Sequence, residues 1–379
     1  MLIKQVHRVG SELQAFAQHR LRLYRNPSFT AEQIIRRHSL PSKHHDAAKK
    51  QALEIRACLS QAQEYFDAAK AVSPATRPLQ LYYGLMSLAL ACVLMKGDAK
   101  NKLARLREHH NGHGLSLSLN GDVSRNATVG DIASRLRAVP QSNAAGPYGT
   151  FEVWRQYVRD FPAPIEVVQR RGQGSTIRLI PELIGADVQP KPIPRSGCSL
   201  LRALKVIPSL QRELVHAGLS AGLVRVRVNF EEDETRKGSA SLIVQPGDPE
   251  AISAFSERLK LDLQAAQSVH VLDVFDSGFG MQLPLLQGRI PGHVSMPQFM
   301  FASGEDLLFV ADDWDLGEFG AYYIGLHIAG NLVRYYPDIW VPHVEHATAF
   351  AELIHAMCMG ALERLPVLVA SELDGCMYF

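Results

Sequence analysis

The chain has few cysteines, and they are not arranged for a disulfide framework or a thiolate metal site. The five cysteines in 379 residues are Cys58, Cys92, Cys198, Cys358 and Cys376. They are far apart, odd in number and form no Cys-x-x-Cys pair, so neither a disulfide-stapled domain nor a zinc ribbon is expected. This cysteine usage fits a reducing compartment.

Long apolar runs and an excess of charge of one sign are also missing. The longest apolar run, Leu85–Met95, is about half the length that crosses a bilayer. The N-terminus, MLIKQVHRVG, has no apolar core of a signal peptide. A formal net charge of +2 is too small to imply nucleic acid or an anionic membrane by itself. We therefore expect a cytoplasmic protein with no membrane partner.

Familiar catalytic and metal-binding motifs are absent from the sequence. It has no Gly-x-Ser-x-Gly elbow, no His-Glu-x-x-His pair and no phosphate loop. His109 and His113 have the spacing of two ligands on one helix face, but Asn111-Gly112 should end the helix between them. Asp312-Asp313-Trp314-Asp315 is a helix cap or a cation site, and the cap is the simpler interpretation. We expect no metal and no cofactor.

Length and patterning divide the chain into three regions. At 379 residues it exceeds the usual single domain. Residues 1–113 have helical patterning, residues 114–310 are β-rich, and residues 311–379 are helical again. In the first region we expect helices at Lys43–Ala71 and Leu79–Lys96. The second of these is apolar on every face, as a buried central helix is.

The middle region is patterned for strands. Leu115–Leu119 alternates strictly and meets Asn120-Gly121, which is a hairpin signal. Val224–Phe230 alternates valine with arginine, which indicates a sheet with one wet face. Further strands are predicted at Ser239–Gln245, Ser268–Asp276 and Asp306–Ala311, a helix at Pro249–Ala266, and long loops at Pro181–Gly197 and Gly278–Gly304.

These elements predict an α+β fold. The N- and C-terminal helices should pack into one helical body, with a central, mostly antiparallel sheet region beside it. The helices Leu79–Lys96 and Phe319–Tyr336 are apolar enough to need partners on all sides. A homo-oligomer, most simply a dimer, is compatible with such a body.

Two distant segments share one build, which is an arginine near a proline, a tyrosine pair and an apolar helix. They are SPATRPLQLYYGLMSLALACVLMK at 73–96 and GLHIAGNLVRYYPDIW at 325–340. Arginine forms planar stacks and bidentate pairs, so the arginine of each segment either locks a helix end or binds an anion. If the two segments converge beside His113, they form a small-ligand site. The predicted ligand-binding residues are Arg77, Tyr83, Arg334 and Tyr335.

The sequence resembles the YaaC-like family of bacterial proteins. The likeness lies in the two segments above, in the His-Gly-Leu at 113–115 and in the tail ending in LPVLVASELDG at 365–375. The likeness covers both ends of the chain and leaves most of residues 120–306 unmatched. It implies a cytoplasmic bacterial protein of uncharacterised function. Because the family has no settled biochemical role, the resemblance transfers no catalytic residue.

The basic segment RLREHHNGH at 105–113 contains two Arg–His pairs. Arg105 precedes His110 with four residues between them, and Arg107 precedes His113 with five. This spacing resembles the motif of HEPN-type ribonucleases, which are helical, usually dimeric and metal-independent. The resemblance implies a histidine acting as acid or base on a ribose 2′-hydroxyl and an arginine stabilising the phosphorane. Arginine and histidine are common enough here for such pairs to arise by chance.

Two functions from different classes therefore remain open. The first is a non-enzymatic binding or assembly protein, whose helical body serves oligomerisation and whose sheet contacts an RNA or protein partner. The second is a metal-independent HEPN-like ribonuclease, which family analogy connects with stress or phage defence. The ribonuclease needs Arg107 and His113 paired in a cleft, whereas the binding protein can lose both.

Overall fold

The fold is known from a computed structural model that describes residues 5–7, 9–97, 102–109, 111–144, 146–157, 165–168, 178–181, 191–232, 238–263, 270–275, 278–285, 299–301, 306–311, 314 and 316–378. These residues form the predicted α+β fold. Its helices are α1 (Leu13–Tyr24), α2 (Pro27–His38), α3 (His45–Ala71), α4 (Arg77–Lys96), α5 (Leu103–His109), α6 (Val129–Arg135), α7 (Thr150–Tyr157), α8 (Leu200–Lys205), α9 (Gln211–His216), α10 (Pro249–Leu263), α11 (Gly317–Tyr335), α12 (Pro337–Glu345) and α13 (Ala349–Asp374).

The strands of the described residues are mostly short. They are β1 (Gln5–His7), β2 (Leu115–Leu119), β3 (Leu136–Pro140), β4 (Ser142–Asn143), β5 (Gly146–Pro147), β6 (Ile165–Val168), β7 (Arg178–Pro181), β8 (Cys198–Ser199), β9 (Leu223–Glu232), β10 (Gly238–Val244), β11 (His270–Phe275), β12 (Gly278–Leu285), β13 (Phe299–Phe301), β14 (Asp306–Val310) and β15 (Cys376–Tyr378).

The helical body is built around α4, which packs against α3, α11 and α13. α4 and α11 are buried on nearly every face, because their sequences are apolar all round. Glycines allow the helices to approach closely. A Cβ added at Gly84 would lie 2.7 Å from the ring of Phe66 on α3, and one at Gly330 would lie 3.3 Å from Cβ of Tyr82. The N- and C-terminal helices thus share one core, as predicted.

The larger sheet has six strands in the order β11-β12-β10-β9-β14-β13, and every pair is antiparallel. Val224 and Val226 of β9 are buried, while Arg225 between them is exposed. This alternation confirms the wet face that the sequence predicts.

A smaller antiparallel sheet, β2-β3-β8, packs directly on the helical body. Leu115, Leu136 and Cys198 are buried in the same core cluster as the central helices. Part of the middle region therefore belongs to the helical core, while the region boundaries at residues 114 and 311 stay a prediction.

The predicted tight hairpin at Asn120-Gly121 is wrong. β2 pairs with β3, but residues 120–135 lie between the two strands and include α6. Thr128 caps α6, because its hydroxyl accepts a hydrogen bond from the Asp131 amide at 3.1 Å. The chain therefore forms α6 between the two strands instead of turning back at the Asn-Gly pair.

The loop predicted at Gly278–Gly304 is wrong at both of its ends, where β12 and β13 lie. Glycine and proline made β12 a poor strand candidate, but its pairing with β10 and β11 outweighs that local preference. Residues 286–298 and 302–304 of this segment, and residues 182–190 of the loop predicted at Pro181–Gly197, lie outside the described residues.

Two helices, α4 and α13, are long and apolar enough to cross a membrane by length and composition alone. Within the protein, 72% and 61% of their apolar windows are buried. Burial of this extent is typical of helices in the core of a folded protein.

Candidate functional site

The two segments of shared build meet in space. Arg334 Nη1, near the end of α11, donates a hydrogen bond to Tyr83 Oη on α4 at 2.7 Å. Trp340 Nε1 on α12 donates to the Ala75 carbonyl just before α4 at 2.8 Å. The convergence expected for these segments therefore holds for Arg334 and Tyr83.

Arg334 presents its charge to solvent while contacting two tyrosines. Its guanidinium carbon lies 5.0 Å from the ring centroid of Tyr335, within cation–π range. Tyr335 is itself 59% exposed. Among the described residues, no carboxylate pairs with Arg334, and the only hydrogen bond of its guanidinium is the one to Tyr83. The remaining guanidinium donors are thus free to bind an anion.

Aromatic rings continue inward from Arg334. The Tyr83 ring stacks on Tyr65 of α3, with centroids 5.5 Å apart and planes inclined by 27°. The His113 ring is also near, with its centroid 6.4 Å from that of Tyr83. We refer to these five residues as the Tyr–His–Arg cluster: Tyr65, Tyr83, His113, Arg334 and Tyr335.

His113 is half-buried between α4 and Arg334. Its Nδ1 lies 3.2 Å from the Met86 sulfur, and its ring centroid lies 5.6 Å from that of Tyr82. Burial and the positive charge of Arg334 both lower the pKa of His113 below its usual value. The ring is therefore mostly neutral at neutral pH.

The His-Gly-Leu segment has a clear local role. The Phe151 amide at the start of α7 donates to the His113 carbonyl at 3.1 Å, which fixes the loop against α7. Gly114 has φ +84°, and a Cβ there would lie 3.0 Å from Phe151, so only glycine fits. Leu115 is buried at the start of β2. This backbone holds His113 beside α4.

A buried polar layer beneath the cluster was not predicted from the sequence. His327 Nδ1 on α11 lies 3.1 Å from Tyr82 Oη, and Asn331 Nδ2 donates to the His327 carbonyl at 2.7 Å. Burial lowers the pKa of His327 to about 3 and raises the pKa of Tyr82. The available signal was two polar residues at i, i+4 in an otherwise apolar helix.

Arg77 points elsewhere. Its Nε donates to the Ala69 carbonyl at 2.9 Å and its Nη2 to the Val72 carbonyl at 3.0 Å, at the C-terminus of α3. Its Nη1 donates to His355 Nδ1 on α13 at 3.3 Å. No described contact joins Arg77 to Arg334. These bonds support the helix-locking alternative for Arg77, and ligand binding by Arg77 stays a prediction.

No described contact joins the arginines of α5 to the histidines that the sequence pairs with them. Arg105 and Arg107 are exposed, and the charge of Arg107 acts on Cys58 of α3. The arginine that acts on His113 is instead Arg334. His110 lies outside the described residues, and the catalytic role of these four residues stays a prediction.

No group of three or more histidine, cysteine or carboxylate side chains suited to a metal ion occurs within the part of the chain that the structure describes. The N-cap of α11 is Leu316, which makes no side-chain cap bond. Asp312, Asp313 and Asp315, predicted to cap this helix or to bind a cation, lie outside the described residues.

The fold and the cluster define an α+β protein with a buried helical core and a surface cluster of arginine, tyrosine and histidine side chains. Residues 18–126 match the model of the YaaC-like protein family. The resemblance is thus confirmed over the segment that holds Arg77, Tyr83 and His113. The segment at 325–340 lies outside the matched residues, and its resemblance stays a prediction, as does the HEPN-type resemblance. No curated protein and no solved structure matches the chain.

Proposed function

We propose that this chain is a binding protein and that its helical body binds an anionic ligand at the Tyr–His–Arg cluster. The observation that carries the proposal is the exposed guanidinium of Arg334, which contacts Tyr83 and Tyr335 and which no described carboxylate neutralises. A charge-assisted hydrogen bond from such a donor is stronger than a neutral one. Preorganisation also lowers the entropy that ligand binding must overcome.

The assembly part of the proposal rests on the same body. The helical body would form a homo-oligomer, most simply a dimer, and the antiparallel sheet would contact an RNA or protein partner. A cytoplasmic setting is supported by the use of both long apolar helices as core. The oligomeric state is tested by light scattering at several protein concentrations, and a mass fixed at one chain throughout would contradict the dimer.

The anion site is tested by titrating pyrophosphate into the purified protein at low ionic strength and measuring heat. We expect Arg334→Gln to weaken binding roughly 10- to 100-fold, because it removes hydrogen bonds to a charged group. Arg334→Lys keeps the charge but loses the planar fork, so an intermediate affinity is expected. Arg22→Gln is the matched control, since Arg22 is exposed on α1 and outside the cluster. Equal affinity in wild type and Arg334→Gln would contradict the proposal.

Metal-independent RNA cleavage is the second candidate, and one observation favours it. Burial and the nearby charge of Arg334 lower the pKa of His113, which favours the neutral ring that a general base for a ribose 2′-hydroxyl requires. Arg334 would then stabilise the charge of the phosphorane. This pairing differs from the one that the spacing of Arg107 and His113 predicts.

The second candidate is tested by incubating tRNA, ribosomal RNA and a generic single strand with the protein in the presence of a chelator. We expect His113→Ala and Arg334→Ala each to slow cleavage by about 100-fold or more. If Arg107→Ala or His110→Ala abolishes cleavage and Arg334→Ala does not, the sequence-based pairs are the right ones. Absence of cleavage, or cleavage that every variant retains, would leave binding as the function.

A further inference from the structure

Tyr335 is unusual among the aromatic side chains of the described residues. Most of these rings are buried, whereas Tyr335 is 59% exposed and Tyr157 is 39% exposed. The guanidinium of Arg334 lies 5.0 Å from the Tyr335 ring centroid, so one side of the ring faces a cation. The ring is thus an accessible aromatic surface held directly beside an anion-binding group.

Arg334 joins this surface to the interior of the protein. Its Nη1 bonds to Tyr83, whose ring stacks on Tyr65, and both of these tyrosines belong to the α3–α4 pair of the core. The guanidinium thus contacts both Tyr83 and Tyr335, and these two contacts orient it. A ligand that uses both Arg334 and Tyr335 would carry an anion and a planar ring a few ångströms apart.

We infer that the ligand is a phosphorylated nucleoside, whose base stacks on Tyr335 and whose phosphate binds Arg334; this inference rests on the anion-binding function proposed above. Stacking of bases on aromatic side chains is sequence-tolerant and contributes substantially to binding. A sugar phosphate or an acidic side chain would satisfy Arg334 but would make no use of the exposed ring. A free nucleotide and single-stranded RNA present the same chemistry.

The test compares four probes: AMP, ribose 5-phosphate, pyrophosphate and a six-nucleotide RNA. We expect the wild-type protein to bind AMP about 10-fold or more tightly than ribose 5-phosphate, because only AMP carries a base to stack. Tyr335→Leu should abolish this preference, while Tyr335→Phe should retain it. Tyr157→Leu, a change at a tyrosine that is 39% exposed and outside the cluster, should leave it unchanged.

The outcomes separate this inference from the proposed function. If AMP and ribose 5-phosphate bind equally and both depend on Arg334, the anion site stands and the nucleoside inference is overturned. If none of the probes binds, the proposed function fails as well. A base-dependent preference that Tyr335→Leu removes supports the inference. In that case, RNA binding at least 10-fold tighter than AMP binding would identify a single strand as the source of the ligand, and equal affinity would identify a free nucleotide.

Discussion

His327 makes the stability of the protein depend on pH. Its folded-state pKa of about 3 lies below the ordinary 6.5, because its burial disfavours the charged ring. Between these two values the unfolded chain binds a proton that the folded chain does not. The contribution of neutral, buried His327 to the free energy of unfolding is therefore complete above pH 6.5. It is lost as the pH falls toward 3, by up to about 1.4 kcal/mol per pH unit.

We predict that the free energy of unfolding falls by about 2 kcal/mol more in wild type than in His327→Gln between pH 7.5 and pH 5. Glutamine keeps a polar group near Tyr82 but does not titrate. The measurement is urea unfolding at both pH values. His19→Gln, a change at an exposed position on α1, should behave as wild type. Equal losses in wild type and His327→Gln would contradict the assignment.

The contact between the two segments of shared build could be predicted in part, while ligand binding by their residues stays a prediction. Arg334 and Tyr83 meet because the apolar helices α4 and α11 pack against each other, and that much follows from pattern. Arg77 could not be placed in the same way. It is the first residue of α4, so its side chain reaches back to the exposed carbonyls that end α3. Its third partner, His355, lies on α13 and carries no sequence signal.

At the scale of elements, the contact between α3 and α4 depends on Gly84. We predict that Gly84→Ala lowers the free energy of unfolding by about 1–2 kcal/mol, since crowding against the buried Phe66 ring outweighs the gain of about 1 kcal/mol in helix propensity. The double variant with Phe66→Leu should recover part of this loss. A favourable coupling of about 1 kcal/mol or more in the double-mutant cycle is the expected result. Zero coupling, or a more stable Gly84→Ala, would show that the interface has room.

Long elements were predictable and short ones were not. The expected helices at Leu79–Lys96 and Phe319–Tyr336 agree with α4 and α11 to within two residues, because apolar periodicity over many turns is a strong signal. The helices α7, α8 and α9 are only six to eight residues long and were missed. Helices this short are marginal alone, and they exist because tertiary packing buries residues such as Trp154 and Leu204.

At the scale of the whole molecule, the two ends of the chain are tied together. β1 pairs in parallel with β15, and α1 packs against α13. Asp374 at the end of α13 is the centre of this junction. Its carboxylate accepts hydrogen bonds from Arg20 Nε at 2.7 Å, Tyr24 Oη at 2.9 Å and Tyr378 Oη at 2.9 Å. Tyr378 is only four residues from Asp374, but Arg20 and Tyr24 come from the other end of the chain, so no local pattern predicts those two partners.

We predict that Asp374→Asn lowers the free energy of unfolding by about 2–4 kcal/mol, since Arg20 then keeps its charge in a partly buried site without a counterion. Amide hydrogen exchange should become faster in α1 and β15, while β9 and β10 of the distant sheet keep their protection. Asp67→Asn affects only exposed contacts, with Lys70 and Gln63, and should remain near wild type. Uniformly faster exchange in both regions would mean that the chain ends and the sheet unfold as one cooperative unit. Unchanged exchange in α1 would mean that apolar packing against α13 holds the ends together without this carboxylate.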